Sequence, residues 1–188
     1  MHPLYQPVLD ILEQAARDIV LPYYQNLKSD QISEKTPGDL VTIADRLSEE
    51  FLSEALGSLL PDAKVVGEEA VAADPAVRDQ IASEQVWIID PIDGTGNFAA
   101  GNPPFGIIIA LAEQNETVAG WLYDPLTQRI CHAVKHGGAY INGARVSVAQ
   151  AQIERPLFVS KLDCIDLIAP FDPNSRPLRP LFFGQRWR

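Results

Sequence analysis

Apolar residues recur at helical spacing through Val8, Ile11, Leu12, Ala15, Ala16 and Ile19, which predicts a helix over residues 4–24. Pro7 fits its first turn, and Pro22 bends or ends it. Residues 25–38 are polar and close on the breaker cluster Thr36-Pro37-Gly38. Lys35, just before it, reads as a surface lysine. A second helix begins near Thr42, a residue type that caps helix N-termini. Leu47, Phe51, Ala55 and Leu59 mark its buried face, which leaves Glu49, Glu50 and Glu54 mostly in water. Asp45 falls in its first turn, where the helix dipole favours an acid for structural reasons alone.

After Pro61-Asp62 the period changes. Lys64-Val65-Val66 predicts a short strand ending at Gly67-Glu68-Glu69, and residues 70–84 are Ala-rich and helix-compatible, with a start at Asp74-Pro75. Strands follow at 86–89, 105–111, 118–123, 130–134, 139–141 and 145–148, and Asn142-Gly143 is a hairpin signal. Closely spaced strands behind early helices predict an α+β fold, with N-terminal helices packed on a largely antiparallel sheet. His132 and His136 would share a strand face but stand too far apart to chelate, so they read as structural or exposed. Residues 170–188 carry Pro170, Pro173, Pro177 and Pro180 among Arg176, Arg179, Arg186 and Arg188. That tail supports neither a helix nor a central strand, and leaves Leu181, Phe182, Phe183 and Trp187 without an obvious core.

The chemistry concentrates in Val86-Trp87-Ile88-Ile89-Asp90-Pro91-Ile92-Asp93-Gly94-Thr95-Gly96-Asn97-Phe98. A buried strand runs into one carboxylate, and a second follows three positions later. Pro91 lacks a backbone donor, which takes the chain out of the ladder as Asp90 emerges. Gly94 and Gly96 let the backbone approach a ligand closely. Two carboxylates ~4 Å apart repel by about 4 kcal/mol at an effective dielectric of about 20, and a hard divalent cation removes that repulsion. Mg²⁺ takes oxygen ligands and keeps several waters, which suits Asp90, Asp93 and a carbonyl such as that of Ile92. The amides of Gly94-Thr95-Gly96 could receive an anion beside it, above all if a helix starts there. A metal beside a phosphate cradle is a phosphoryl-transfer site. The plainer alternative is a strand ending in an Asx-type turn.

Asp90 to Phe98 resembles the first signature of the inositol monophosphatase family, Mg²⁺-dependent and often Li⁺-sensitive phosphatases. Asp39-Leu40-Val41-Thr42-Ile43-Ala44-Asp45 and Gly67-Glu68-Glu69 match it upstream in order and spacing. Gly96 stands where many members carry a second Thr, and Lys35 where the family often has a lysine. The resemblance runs from the first helix to about residue 160. The family's late Trp-Asp signature is absent, since Trp187 is followed by Arg188. The resemblance implies a layered α/β sandwich of the sugar-phosphatase type with an incomplete second half. Residues 1–150 would form the metal-binding phosphatase domain, and 151–188 the start of a C-terminal α/β domain. It implies Glu68, Asp90, the Ile92 carbonyl and Asp93 as Mg²⁺ ligands, with Glu69 further out. Thr95, Asp45 and Glu68 would be catalytic, and Gly94 and Thr95 would bind the phosphate.

Composition narrows the partners. Fifteen basic against twenty-five acidic residues, net charge −10, argue against nucleic acid or an anionic membrane, and an acidic protein acting on an anionic substrate needs cations at its site. Met1-His2-Pro3 opens no secretory signal, and the apolar run over residues 107–112 is too short to span a bilayer. Cys131 and Cys164 read as reduced thiols of a cytoplasmic protein, with a single bridge the other option. Haloacid-dehalogenase-like enzymes need Asp-x-Asp, and here the spacing is Asp90-x-x-Asp93. The expected function is hydrolysis of a small sugar or polyol phosphate such as inositol 1-phosphate by a metal-activated water, in a homodimer. A bisphosphate nucleotidase or fructose-1,6-bisphosphatase-like enzyme is the nearest other activity. A catalytically inactive or shortened member that binds metal or a partner is the reading of a different class.

Overall fold

A computed structural model describes residues 1–147. The chain divides into two units, Met1–Glu154 and Arg155–Arg188. The expected second-domain start, the Pro/Arg-rich tail, Cys164 and the end of the 145–148 strand lie outside the described residues.

The first helix forms where its period places it. Helix α1 (Tyr5–Ala15) runs into a π-helical turn, Ala16–Val20, and a last turn α2 (Leu21–Tyr23) that holds Pro22. Proline would clash with the carbonyl four residues before it, and the wider π turn gives that ring room without ending the helix.

β1 (Ile32–Thr36) lies in the stretch read as polar and pairs with β2 (Asp39–Thr42) in a hairpin that turns at Gly38, whose φ is +83°. It feeds α3 (Ile43–Leu59), whose N-cap is Thr42 as expected. The buried face of α3 is Ala44, Asp45, Ser48, Glu49, Leu52 and Leu56, one position round from the predicted face. Glu49, expected in water, is 6% exposed.

A seven-stranded sheet follows, in the order β3-β4-β5-β6-β7-β8-β9. Its strands are β3 (Lys64–Gly67), β4 (Gln85–Asp93), β5 (Gly106–Glu113), β6 (Glu116–Asp124), β7 (Arg129–Val134), β8 (Gly138–Ile141) and β9 (Ala144–Val146). β3 and β4 are parallel, and every later neighbour pair is antiparallel. Between β3 and β4 lie α4 (Glu68–Ala73) and a 3-10 segment (Pro75–Ala82). Glu68 and Glu69 therefore open a helix, and Asp74 caps the 3-10 segment through the Ala76 N–H.

One sheet face packs on the helices. Trp87 and Ile89 of β4, Ile107, Ile109 and Leu111 of β5 and Trp121 of β6 join Val8, Leu12, Leu52 and Leu56 in one core. Side chains of this size stabilise by roughly 1.5–3 kcal/mol each when fully buried. Val66, Val86 and Ala112 on the other face are covered by Val71 and Val77 from α4 and the 3-10 segment. His132 is buried, its Nδ1 2.9 Å from the Gly120 carbonyl, and His136 is exposed in a turn. His132 is thus structural and His136 exposed, and His136 lies in the turn after β7 where the sequence placed both on one strand face.

Candidate active site

Register brings the acidic residues to one end of the sheet. In the parallel pair, Gly67 of β3 is level with Ile89 of β4. Glu68 and Asp90 are the next residues along each chain, so they lie at the same level, Glu68 opening α4 while Asp90 stays in β4. Pro91 does not end β4. The ladder to β5 pairs Asp90 with Ile108 and then Asp93 with Gly106, so two residues on β4 face one on β5. This bulge absorbs the proline's missing donor and carries the strand on to Asp93. Asp93 is buried and Asp90 half-buried.

Gly94 follows with φ +85°, and α5 (Thr95–Ala99) starts after it. A Cβ on Gly94 would sit 2.9 Å from the Pro104 carbonyl oxygen. The close approach this glycine permits is therefore to the chain's own segment, which Asn97 also holds by donating Nδ2–H to the Pro104 carbonyl at 2.9 Å. Gly96 differs, since its missing Cβ faces open space.

The start of α3 meets this corner. Asp45 is 1% exposed. Its Oδ2 accepts from the Thr42 N–H at 2.8 Å and the Thr42 hydroxyl at 2.5 Å, while Thr42 Oγ1 accepts from the Ala44 N–H at 3.1 Å. The helix start is thus a closed capping box. The other carboxylate oxygen, Oδ1, lies 3.0 Å from Thr95 Oγ1, which also sits 2.9 Å from the Ile92 carbonyl. A threonine hydroxyl has one proton, so it donates to one of these acceptors at a time. Burial pushes the Asp45 carboxyl up to about 6, against the hydrogen bonds from Thr42 and Thr95 that favour its charged form.

Two residues that sequence reasoning set aside belong to the site. Lys35 on β1 donates from Nζ to Glu68 at 3.0 Å and to Glu69 at 2.9 Å, and its side chain is 14% exposed. Burial lowers its affinity for a proton, but the bonds to Glu69 and Glu68 outweigh that and hold it above the ordinary lysine value. Glu49 on α3 accepts from the Glu69 and Ala70 N–H groups. Burial raises its carboxyl and these two bonds oppose the rise. The family's lysine position was a signal for Lys35. Nothing local marks Glu49, which is separated from its partners by a loop and a strand.

The donors expected to hold Mg²⁺ are all oxygens: the carboxylates of Glu68, Asp90 and Asp93 and the Ile92 carbonyl. In kind they fit a hard cation that retains several waters. In placement Glu68 turns to Lys35, and among the described residues no three His, Cys, Asp or Glu side chains are grouped to hold an ion unaided.

The class the fold defines is a helix-backed, mostly antiparallel sheet with acidic residues gathered at one end of the parallel β3–β4 pair. The inositol monophosphatase family profile matches residues 4–169, and the chain belongs to that family. An inositol monophosphatase of Dictyostelium discoideum is 36% identical over 150 residues, 78% of this chain and 52% of the relative. A fructose-1,6-bisphosphatase/inositol-1-monophosphatase of Aquifex aeolicus is 34% identical, over 77% and 52%. A Nus factor SuhB of Pasteurella multocida is 35% identical, over 76% and 52%. The chain thus spans about half the length of the curated relatives it matches. Among solved structures, the suhB extragenic suppressor protein of Bartonella henselae superposes with a TM-score of 0.67 at 31% identity, over 80% of this chain and 56% of that one. The Thermotoga maritima IMPase gives 0.64 at 27%, over 76% and 52%. Among the described residues no helix is long and apolar enough to cross a membrane.

Proposed function

We propose that the protein is a Mg²⁺-dependent phosphomonoesterase acting on a small sugar or polyol phosphate such as inositol 1-phosphate. The observation that carries this reading is the Thr95 hydroxyl between the Asp45 carboxylate and the Ile92 carbonyl, two residues past Asp93, the end of the strand that also carries Asp90. Glu68, Asp90, Asp93 and the Ile92 carbonyl are the residues to hold the metal. When bound, it polarises the phosphate and lowers the pKa of a water. Asp45, ionised at neutral pH, accepts the Thr95 proton, so that Thr95 Oγ1 is left to orient the attacking water with Glu68. The Gly94 and Thr95 amides take phosphate oxygens, and attack is in line without a covalent phosphoenzyme. Li⁺ sensitivity, a homodimer and a cytoplasmic setting complete the reading, supported by the family resemblance.

Phosphate release from inositol 1-phosphate, with and without Mg²⁺ and Li⁺ and beside an Asp93→Asn control, tests it. Metal-dependent turnover lost in the control is the expected result. The Aquifex relative, named for two activities, makes fructose 1,6-bisphosphate the second substrate to try, and a 3'(2'),5'-bisphosphate nucleotide the third. A second reading, a metal- or partner-binding protein without turnover, is favoured by the hold of Lys35 on Glu68. Mg²⁺ binding with no phosphate released from any of these esters is its signature.

A further inference from the structure

Helix α4 has no side-chain cap of its own, because its N-cap is Gly67. Its second and third amides, those of Glu69 and Ala70, donate to Glu49 Oε2 and Oε1 at 2.7 Å each. One carboxylate from the middle of α3 therefore grips both, in the short charge-assisted geometry that suits an anion at a helix start. The grip depends on Gly67. Its φ of −102° is open to any residue, so the requirement is steric. A Cβ there would collide with the Glu49 carboxylate. A serine or threonine at this position could cap the helix locally, but it would evict Glu49.

We infer that Glu49 is a positioning residue: through the empty side of Gly67 it seats the first turn of α4 and so fixes where Glu68 presents its carboxylate. The inference rests on the proposed role of Glu68 as a metal ligand. The turn gathers like charges, Glu49, Glu68 and Glu69, and Lys35 offsets two of them. With Lys35 alone the turn could shift along that long side chain. The paired amide bonds to a carboxylate buried on α3 tie it to the helix that also carries Asp45. Both acids of the site then move as one body.

The test uses the full chain as wild type, Glu49→Ala, Glu49→Gln, Gly67→Ala and the Glu49→Ala/Gly67→Ala double variant. Circular dichroism checks folding, calorimetry reads Mn²⁺ affinity, and hydrogen exchange reads the Glu69 and Ala70 amides. Removing a group that supports a metal ligand typically weakens binding about 10–100-fold, and each alanine variant is expected in that range with faster exchange at both amides. Glu49→Gln keeps the shape and one acceptor oxygen, so it falls between wild type and Glu49→Ala. The double variant is expected to be no worse than either single one, since Gly67→Ala acts by displacing Glu49. Wild-type Mn²⁺ affinity or unchanged exchange in Glu49→Ala overturns the inference alone, as do losses that multiply in the double variant. A wild-type chain that binds no Mn²⁺ overturns the metal-centre reading, and the inference falls with it.

Discussion

Two helix starts frame the site, and they are built on opposite principles. The start of α3 is self-contained: Thr42 and Asp45, three residues apart, satisfy each other's backbone and side-chain groups. The start of α4 is borrowed, with its amides held by Glu49 and its acids by Lys35 from β1. Both follow a strand, and both place an acid in the first turn. Asp45 is sealed at 1% exposure, while the Glu68 side chain is 43% exposed. The contrast separates the jobs each acid can do. A sealed carboxylate with a threonine hydroxyl on it can move a proton without disturbing water. An open one can exchange a lysine for a hydrated cation.

The largest predicted effect tests the sealed start. Folded Asp45 keeps its proton up to about pH 6, whereas its ordinary value is 3.8. Between these values the folded state binds more protons than the unfolded one, so stability is greatest at the acid end and falls as pH rises toward 6. A gap of about two units corresponds to about 3 kcal/mol. Urea midpoints of the metal-free protein from pH 4 to 7 should show this slope, and Asp45→Asn should flatten it. Catalysis runs the other way, because a protonated Asp45 cannot take the Thr95 proton. Phosphate release is expected to rise through about pH 6 as stability declines.

Next is the cap itself. Thr42→Ala removes the acceptor of the Ala44 N–H and one donor to Asp45. The loss of stability should be about 1–2 kcal/mol by thermal unfolding, with Thr42→Ser recovering most of it. An equal recovery by Thr42→Val would show that side-chain shape, and no hydrogen bond, secures this start.

The two starts also differ in how far the sequence revealed them. Thr42 and Asp45 lie within one turn, so a propensity for capping located them. The strands were legible for the same reason, since Trp87, Ile89, Ile107 and Ile109 carry the pattern of a buried sheet in their own order. Glu49 was not, because an acid beside Glu50 on an amphipathic helix belongs in water unless something distant receives it. What receives it is a pair of amides twenty and twenty-one residues on, across a strand. The β1–β2 hairpin was missed because Ser33, Glu34 and Thr36 are exposed and give no alternating apolar signal. Pro91 misled in the other direction, because a bulge can carry proline through a paired strand.

The smallest effect on stability, and the sharpest on the open start, belongs to Lys35→Met. Methionine keeps much of the apolar stem and removes the ammonium. Ion pairs with partly exposed partners contribute about 0–1 kcal/mol, so the unfolding midpoint should move little. A unit positive charge roughly 6 Å from a bound divalent cation, in an effective dielectric of about 40, opposes binding by about 2.8 kcal/mol, a factor of about a hundred. Mn²⁺ should therefore bind the variant up to about a hundredfold more tightly, by calorimetry at matched ionic strength. If affinity drops instead, Lys35 supports Glu68 in its binding pose and does not compete for it. The borrowed start would then have two struts, Glu49 beneath the helix and Lys35 across its acids, and both would be needed before a cation could bind.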